Sequence, residues 1–230
     1  MKILFEDNYI LVCEKPAGIA TQAAKVTEKD MVSEVNNYIR KAGGKSPAYL
    51  IHRLDKPVRG VLVFAKTKES AAELNRQLTS TTSDKGFSKM YHAYVEGTFD
   101  SDDESGLLQN YIYKDGDRAV IVDSEEAEAK KDKIKDSKGR PADIKIAKLE
   151  YKVESNSPDD MTKLNINLIT GRFHQIRCQL SNIGHPIIGD SLYGSKEPYK
   201  KRNAIGLVAY SISFNHPITH KRMVFELEEG

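Results

Sequence analysis

From Val61 to Ala65 the chain reads V-L-V-F-A, five apolar residues in a row between Gly60 and Lys66. A run this short, rich in β-branched and aromatic side chains and bounded by a glycine and a lysine, is a short buried strand. Whatever the chain folds into must build a core around it. Directly before that strand, His52, Arg53, Asp55, Lys56 and Arg59 crowd into eight residues, one carboxylate among four potential cations. Cations within about 4–6 Å of an Asp favour its ionised form. An Asp kept charged suits a nucleophile or an anchor better than a general acid.

The rest of the chain supplies ample material for that core. It has 230 residues, 39% hydrophobic and 30% charged, the size of one large domain or of one domain with small insertions. Lys+Arg is 35 against Asp+Glu 33, so a nucleic-acid partner would have to be held by local patches rather than by net charge. Two cysteines, Cys13 and Cys178, have no paired spacing, which argues against a disulfide framework or a cysteine zinc site. Acidic residues appear by Glu6, so the N-terminus is not a signal peptide, and no run approaches the 18 apolar residues of a membrane span. The expectation is a soluble, cytoplasmic protein.

Along the chain, Ile3–Phe5 and Tyr9–Cys13 form a hairpin about Glu6-Asp7-Asn8. Asp30 caps a helix running to about Lys41, stopped by Gly43-Gly44. Lys68–Leu78 is helical, with Ala71, Leu74 and Leu78 turned inward, and Met90–Val95 is a strand. Residues 101–143 change character: "DSEEAEAKKDKIKDSKGRP" is expected to be a solvated, mobile surface excursion, with Leu107–Tyr113 and Ala119–Val122 as a hairpin inside it. Strands resume at Lys145–Val153 and Lys163–Ile169. A helix follows over "FHQIRCQLSNIG", and Ile205–Phe214 and Met223–Leu227 close the chain as strands. Strand-rich text with about three helices predicts an α+β fold, mainly antiparallel.

A second dense stretch, "LITGRFHQIRCQLSNIGHPIIGDSLYG", runs from Leu168 to Gly194. On its helix His174 and Arg177 are three apart, so they share a face near the end that favours anions. An arginine there can grip a carboxylate with two parallel hydrogen bonds. Asp55 is the obvious candidate for that carboxylate.

These two stretches carry a resemblance. "HRLDKPVRGVLVFAK" looks like the HRLD signature of the RluA-type RNA pseudouridine synthases, and "GRFHQIRCQLSNIGHPIIGDSLYG" resembles their second signature. "EKPAGIATQ" is similar to their K-P-x-G segment, "KMYHAYVEG" to their K-x-Y-x-A-x-V-x-G strand, and "AYSISFNHPITHKRMVFE" to their last strands. Five blocks in family order cover nearly the whole chain. The chain departs from the pattern at Val58-Arg59-Gly60, at Phe173 where Thr or Ser is common, and at Cys178-Gln179.

The resemblance implies the family's catalytic fold over residues 1–230: a mixed sheet with a few flanking helices and a central active-site cleft, with no S4 domain ahead of it. It implies an isomerase acting on ribosomal or transfer RNA, without cofactor, membrane or obligatory protein partner, a monomer in the simplest case. The N1–C1′ bond of a uridine breaks, the base turns, and C5 takes the place of N1. Asp55 occupies the place of the family's Asp, as nucleophile or as base at the sugar. Arg177 matches the Arg that pairs with it, and Tyr91 the Tyr that stacks on the target base. Arg53 matches the residue that helps displace the nucleotide from its stack. His52, Arg172, His174 and Gln175 match positions that contact phosphate or order loops.

Plainer roles stand beside these. Tyr91 would serve equally as a core tyrosine, and His52 and His174 as structural hydrogen-bonders. Asp190 reads as a loop-fixing acceptor, Cys178 as a small buried hydrophobe, and "SKEPYKKRN" as solvated surface that could also meet RNA. A different class of function, an RNA-binding module on the same fold without catalysis, predicts that Asp55→Asn is silent. A nucleoside hydrolase would need a second carboxylate flanking the bond.

Overall fold

The computed structural model describes residues 1–23, 27–44, 46–80, 86–130 and 133–228. In chain order the elements are β1 (Lys2–Glu6), β2 (Ile10–Lys15), α1 (Met31–Lys41), β3 (Tyr49–Leu50), β4 (Arg59–Ala65), α2 (Lys68–Thr79) and β5 (Ser88–Glu96). Then come β6 (Ser105–Asp115), β7 (Arg118–Val122), α3 (Ser124–Lys130), β8 (Lys145–Ser157), β9 (Met161–Leu168), α4 (Gln175–Asn182), β10 (Leu207–Asn215) and β11 (Arg222–Glu226). The chain divides into two compact units. The first holds Met1–Met90, Lys201–Ala204 and the chain from Val208 onward; the second holds Tyr91–Lys200 and Ile205–Leu207.

In the first unit the apolar run becomes the central strand. β4 pairs antiparallel with β2 along its length, from Ile10↔Ala65 to Lys15↔Gly60. On its other side β10 runs parallel at its start (Val208↔Arg59) and β3 antiparallel at its end (Tyr49↔Ala65). With partners on both edges and every residue after Arg59 buried, β4 has no solvent side, which is why its sequence does not alternate. Ile10, Val12, Val61, Val63, Leu74, Ile212 and Phe214 form the core there. Both helices begin on side-chain caps: Asp30 accepts the Ser33 amide and Thr67 the Ser70 amide, as their positions before apolar-periodic runs require. Gln77 of α2 is clipped to Asn215 of β10 by Nε2–H to the carbonyl at 2.9 Å and by the amide to Oε1 at 2.8 Å.

Gly60 is fixed by packing. A Cβ there would meet the Ala209 side chain and stand 2.8 Å from the Ala209 carbonyl and 2.9 Å from Leu54 Cδ1. The parallel step from β4 to β10 therefore requires a residue without a side chain, immediately after the loop that carries Asp55.

The second unit is antiparallel: β9 pairs β8, β8 pairs β6 and β6 pairs β7, with β5 beside β9. Ala147, Leu149, Leu164, Ile166 and Leu180 are fully buried in it. The expected solvated excursion at 101–143 is more structured than its charge implies. The β6–β7 hairpin is longer than the two predicted pieces. α3 and the following chain close a small apolar cluster of Val122, Ala127 and Ile144, with Tyr111, Tyr113, Ile134 and Ala142 packed on it. From Ala127 to Ile144 its apolar residues are spaced singly through charged text, so composition hides them. Among the described residues no helix is long and apolar enough to cross a membrane.

Candidate active-site residues

Asp55 lies on a loop of the first unit that is stitched from three sides. Thr21 Oγ1 donates to the Leu54 carbonyl at 2.8 Å and accepts the Leu54 amide at 3.0 Å. The Gly18 amide donates to the Lys56 carbonyl at 2.8 Å, on a left-handed backbone (φ +84°) that glycine adopts without strain. The Val58 amide closes the turn on the Asp55 carbonyl at 3.0 Å. Behind them stands Lys15, 0% exposed, whose ammonium donates to the carbonyls of Pro16 (3.0 Å), Ile19 (2.6 Å) and Lys56 (3.1 Å). Burial pushes this ammonium down to about 8, and the charge of Asp55 opposes that shift. Lys15 thus fills its donor capacity by tying the "KPAGI" segment to the Asp55 loop, and it sets a positive charge beside the carboxylate.

This revises the expected role of the neighbouring cations. Lys56 pairs with Glu28 at 2.5 Å and Arg59 with Glu14 at 2.6 Å. Both ring nitrogens of His52 are shielded from solvent and have no hydrogen-bond partner among the described residues. Burial, with Lys89 nearby, pushes His52 down to about 3, so it is neutral. A phosphate contact through a charged imidazole is not what this geometry provides. Instead His52 packs edge-on to Phe87 (5.6 Å), which stacks on Phe214 (5.2 Å). Part of the ring stays accessible; its nitrogens do not. Arg53 is exposed. Lys15, a cation that interacts electrostatically with Asp55, was legible only as the Lys of K-P-x-G. The clue is that Lys15 follows Ile10, Val12 and Cys13 on a strand whose residues are nearly all buried.

In the second unit, helix α4 begins at Gln175, two residues later than the sequence predicts. His174 is its N-cap, on a left-handed backbone with φ 49°, and caps with no side-chain bond. His174 and Arg177 are therefore not two turns of one helical face. Gln175 is 3% exposed and fully engaged: Oε1 accepts from Thr170 Oγ1 (2.7 Å) and the Arg172 amide (3.0 Å), and Nε2 donates to the Lys148 carbonyl (3.0 Å). Of the two roles foreseen for it, it orders a loop. Arg172 is exposed, with Nε on the Ile146 carbonyl at 3.0 Å. Tyr91, on β5, is buried.

Within its own unit Arg177 grips the carboxylate of Asp190. Nε meets Oδ2 at 2.6 Å and Nη2 meets Oδ1 at 2.8 Å, with both side chains buried. The guanidinium also lies 5.0 Å from the Tyr193 ring. Asp190 holds its own loop as well: its carbonyl accepts the Tyr193 and Ser195 amides. The expected loop-fixing acceptor is thus also an arginine partner, thirteen residues along the chain. Tyr193 was not foreseen. Its hydroxyl accepts the Ala119 amide at 2.6 Å and lies 3.1 Å from His174 Nδ1. Burial pushes the phenol up to about 12. The phenol therefore keeps its proton. Cys178 donates to the Ala119 carbonyl at 3.3 Å and is buried, as expected.

The profile of the RNA pseudouridylate synthase family matches residues 9–182. The dual-specificity RNA pseudouridine synthase RluA of Yersinia pestis is 32% identical over 230 residues, 99% of this chain and 98% of that one. The uncharacterized RNA pseudouridine synthase YhcT of Bacillus subtilis is 31% identical over 227 residues; the match takes 98% of this chain and 68% of that longer protein. Among solved structures, human RNA pseudouridylate synthase domain containing 4 superposes with a TM-score of 0.73 over 100% of this chain and 88% of that one, at 20% identity. The fold is thus shared well beyond the range of close sequence similarity.

Proposed function

The chain belongs to the RNA pseudouridine synthase family, whose members are isomerases, and from that membership we propose that it converts a specific uridine of ribosomal or transfer RNA into pseudouridine with Asp55 as its catalytic carboxylate. The observation that carries this assignment is the treatment of Asp55. Its loop is held by Thr21, Gly18 and Lys15, it precedes a strand buried on both faces, and a buried ammonium stands near it. A carboxylate that must act at one atom of a sugar needs such rigid support.

The target nucleotide leaves its stack, and Arg53 assists that displacement. Asp55 acts at the sugar, the N1–C1′ bond breaks, the freed uracil turns, and C5 bonds to C1′. C5 loses its proton and N1 carries one in the product, so the isomerisation balances without oxidant or reductant. Tyr91 lies against the base and serves in the proton transfer at C5. Arg177, oriented by Asp190, takes the role of the family's arginine toward the catalytic carboxylate, and Lys15 supplies a cation within the first unit. Arg172 holds RNA phosphate; His174 and Gln175 shape the loop between them. Asp55→Asn tests this with little change of shape: purified variant protein should bind RNA as the parent does and form no pseudouridine. Pseudouridine formed at the parental rate would move catalysis to another residue.

A further inference from the structure

Phe173 is one of the places where the chain departs from its family's common text, and its surroundings give the departure a use. The left-handed turn at His174 lays two rings face to face, with centroids 3.9 Å apart and planes 16° from parallel. The other face of the half-buried Phe173 ring carries the Lys114 ammonium, 4.6 Å from its centroid. Lys114 is exposed and comes from β6, in the segment read from sequence as a loose excursion. The hairpin is held in place at that point. Ala119, opposite Lys114 in the β6–β7 register, gives its amide to Tyr193 and takes the Cys178 thiol on its carbonyl. Exposed Arg172 stands next in sequence, its Nε anchored to Ile146.

Two parallel rings flanked by two exposed cations match the chemistry of an unstacked nucleotide. The base stacks on the aromatic face and its phosphates meet the cations. An apolar protein partner would find polar and charged groups around these rings instead. We propose that Phe173 and Lys114 form a stacking subsite for an unpaired nucleotide of the substrate RNA, and so favour RNA that presents an unstacked base there. This rests on the pseudouridine synthase assignment. On binding, the base takes the place of the Lys114 ammonium over the ring, and the ammonium moves to the nucleotide's phosphate.

The chain has no tryptophan, so Phe173→Trp places a single fluorescent reporter at the proposed subsite. The probes are fluorescein-labelled bulk transfer RNA and fragmented ribosomal RNA. The emission of Phe173→Trp should be quenched in step with the anisotropy of the labelled RNA. Phe173→Leu, which keeps an apolar side chain but no π-face, should bind the better of the two RNAs roughly 5- to 150-fold more weakly. Lys114→Gln should reduce the slope of log affinity against log salt by about 0.7, one single-strand phosphate contact. Emission that stays constant through saturating RNA would overturn the subsite, as would Phe173→Leu binding as tightly as the parent or a parent that binds neither RNA. Thermal melts of each variant identify one that misfolds; should Phe173→Leu do so, Phe173→Met, also apolar and without a π-face, replaces it and should weaken binding by a similar factor. Asp55-dependent pseudouridine in cells separates the two claims. If that modification is present and Phe173 proves indifferent, only the subsite falls; if it is absent, the enzyme assignment falls whatever Phe173 does.

Discussion

A lysine with no exposed surface and three backbone carbonyls around its ammonium is the most demanding residue of the first unit. Lys15→Met keeps the volume but leaves the carbonyls of Pro16, Ile19 and Lys56 without their donor. The expected loss is roughly 2–4 kcal/mol, read as a lower urea midpoint, with activity falling further because the Asp55 loop loosens. His52 makes an independent prediction through pH. Burial, then Lys89, depresses its pKa in the folded protein to about 3, while the unfolded chain titrates near 6.5. Between those values the unfolded state binds the extra proton, so stability is full above pH 6.5 and declines as pH falls toward 3. The slope from this one group is at most about 1.4 kcal/mol per pH unit. Urea titrations at a series of pH values should show that decline in the parent and a shallower one in His52→Leu; equal slopes would mean that His52 is protonated in the folded state. In the second unit, Asp190→Ala removes the two-bond carboxylate partner of the buried Arg177 guanidinium, and a loss of about 3–5 kcal/mol is expected in thermal or chemical denaturation. A loss under 1 kcal/mol would show that Arg177 finds another anion.

At the scale of elements, the strands and capped helices were legible because each obeys a local rule. The turn at Asp7 was seen, and Asp7 Oδ1 does accept the Tyr9 and Ile10 amides. Asp30 was expected to cap α1, and it does. What local rules missed has identifiable causes. β3 is only Tyr49–Leu50, too short for any period. α4 starts late because Gln175 ties back to Thr170, Arg172 and Lys148, which commits residues 170–174 to a loop. The Arg177–Asp190 clasp joins residues whose spacing matches neither a helix nor a strand. Lys15 was hidden because lysine is a surface residue by default. Phe173 was noticed as a departure, but only the β6–β7 hairpin shows what lies over it. The close step from β4 to β10 supplies a test at this scale. Gly60→Ala presses a methyl on Ala209 and Leu54 and should cost about 1–3 kcal/mol. Because the strain falls beside the Asp55 loop, kcat should drop more than RNA affinity does; unchanged melting and turnover would mean that β10 can shift at no cost.

For the whole molecule, family membership establishes the fold and the class of reaction, while the RNA and the residues that act on it are our proposals. The net charge of +2 provides no general attraction to nucleic acid, so recognition has to rest on placed groups such as Arg53, Lys114 and Arg172. The central claim, that Asp55 is the carboxylate of an RNA uridine isomerase, is tested most directly by mapping pseudouridine across cellular RNA with carbodiimide labelling and primer extension. Three strains are compared: one with the protein, one without it, and one with only Asp55→Ala. The account predicts at least one labelled uridine in the first strain that is unlabelled in both others. A label that vanishes in the deletion but survives in Asp55→Ala would contradict it.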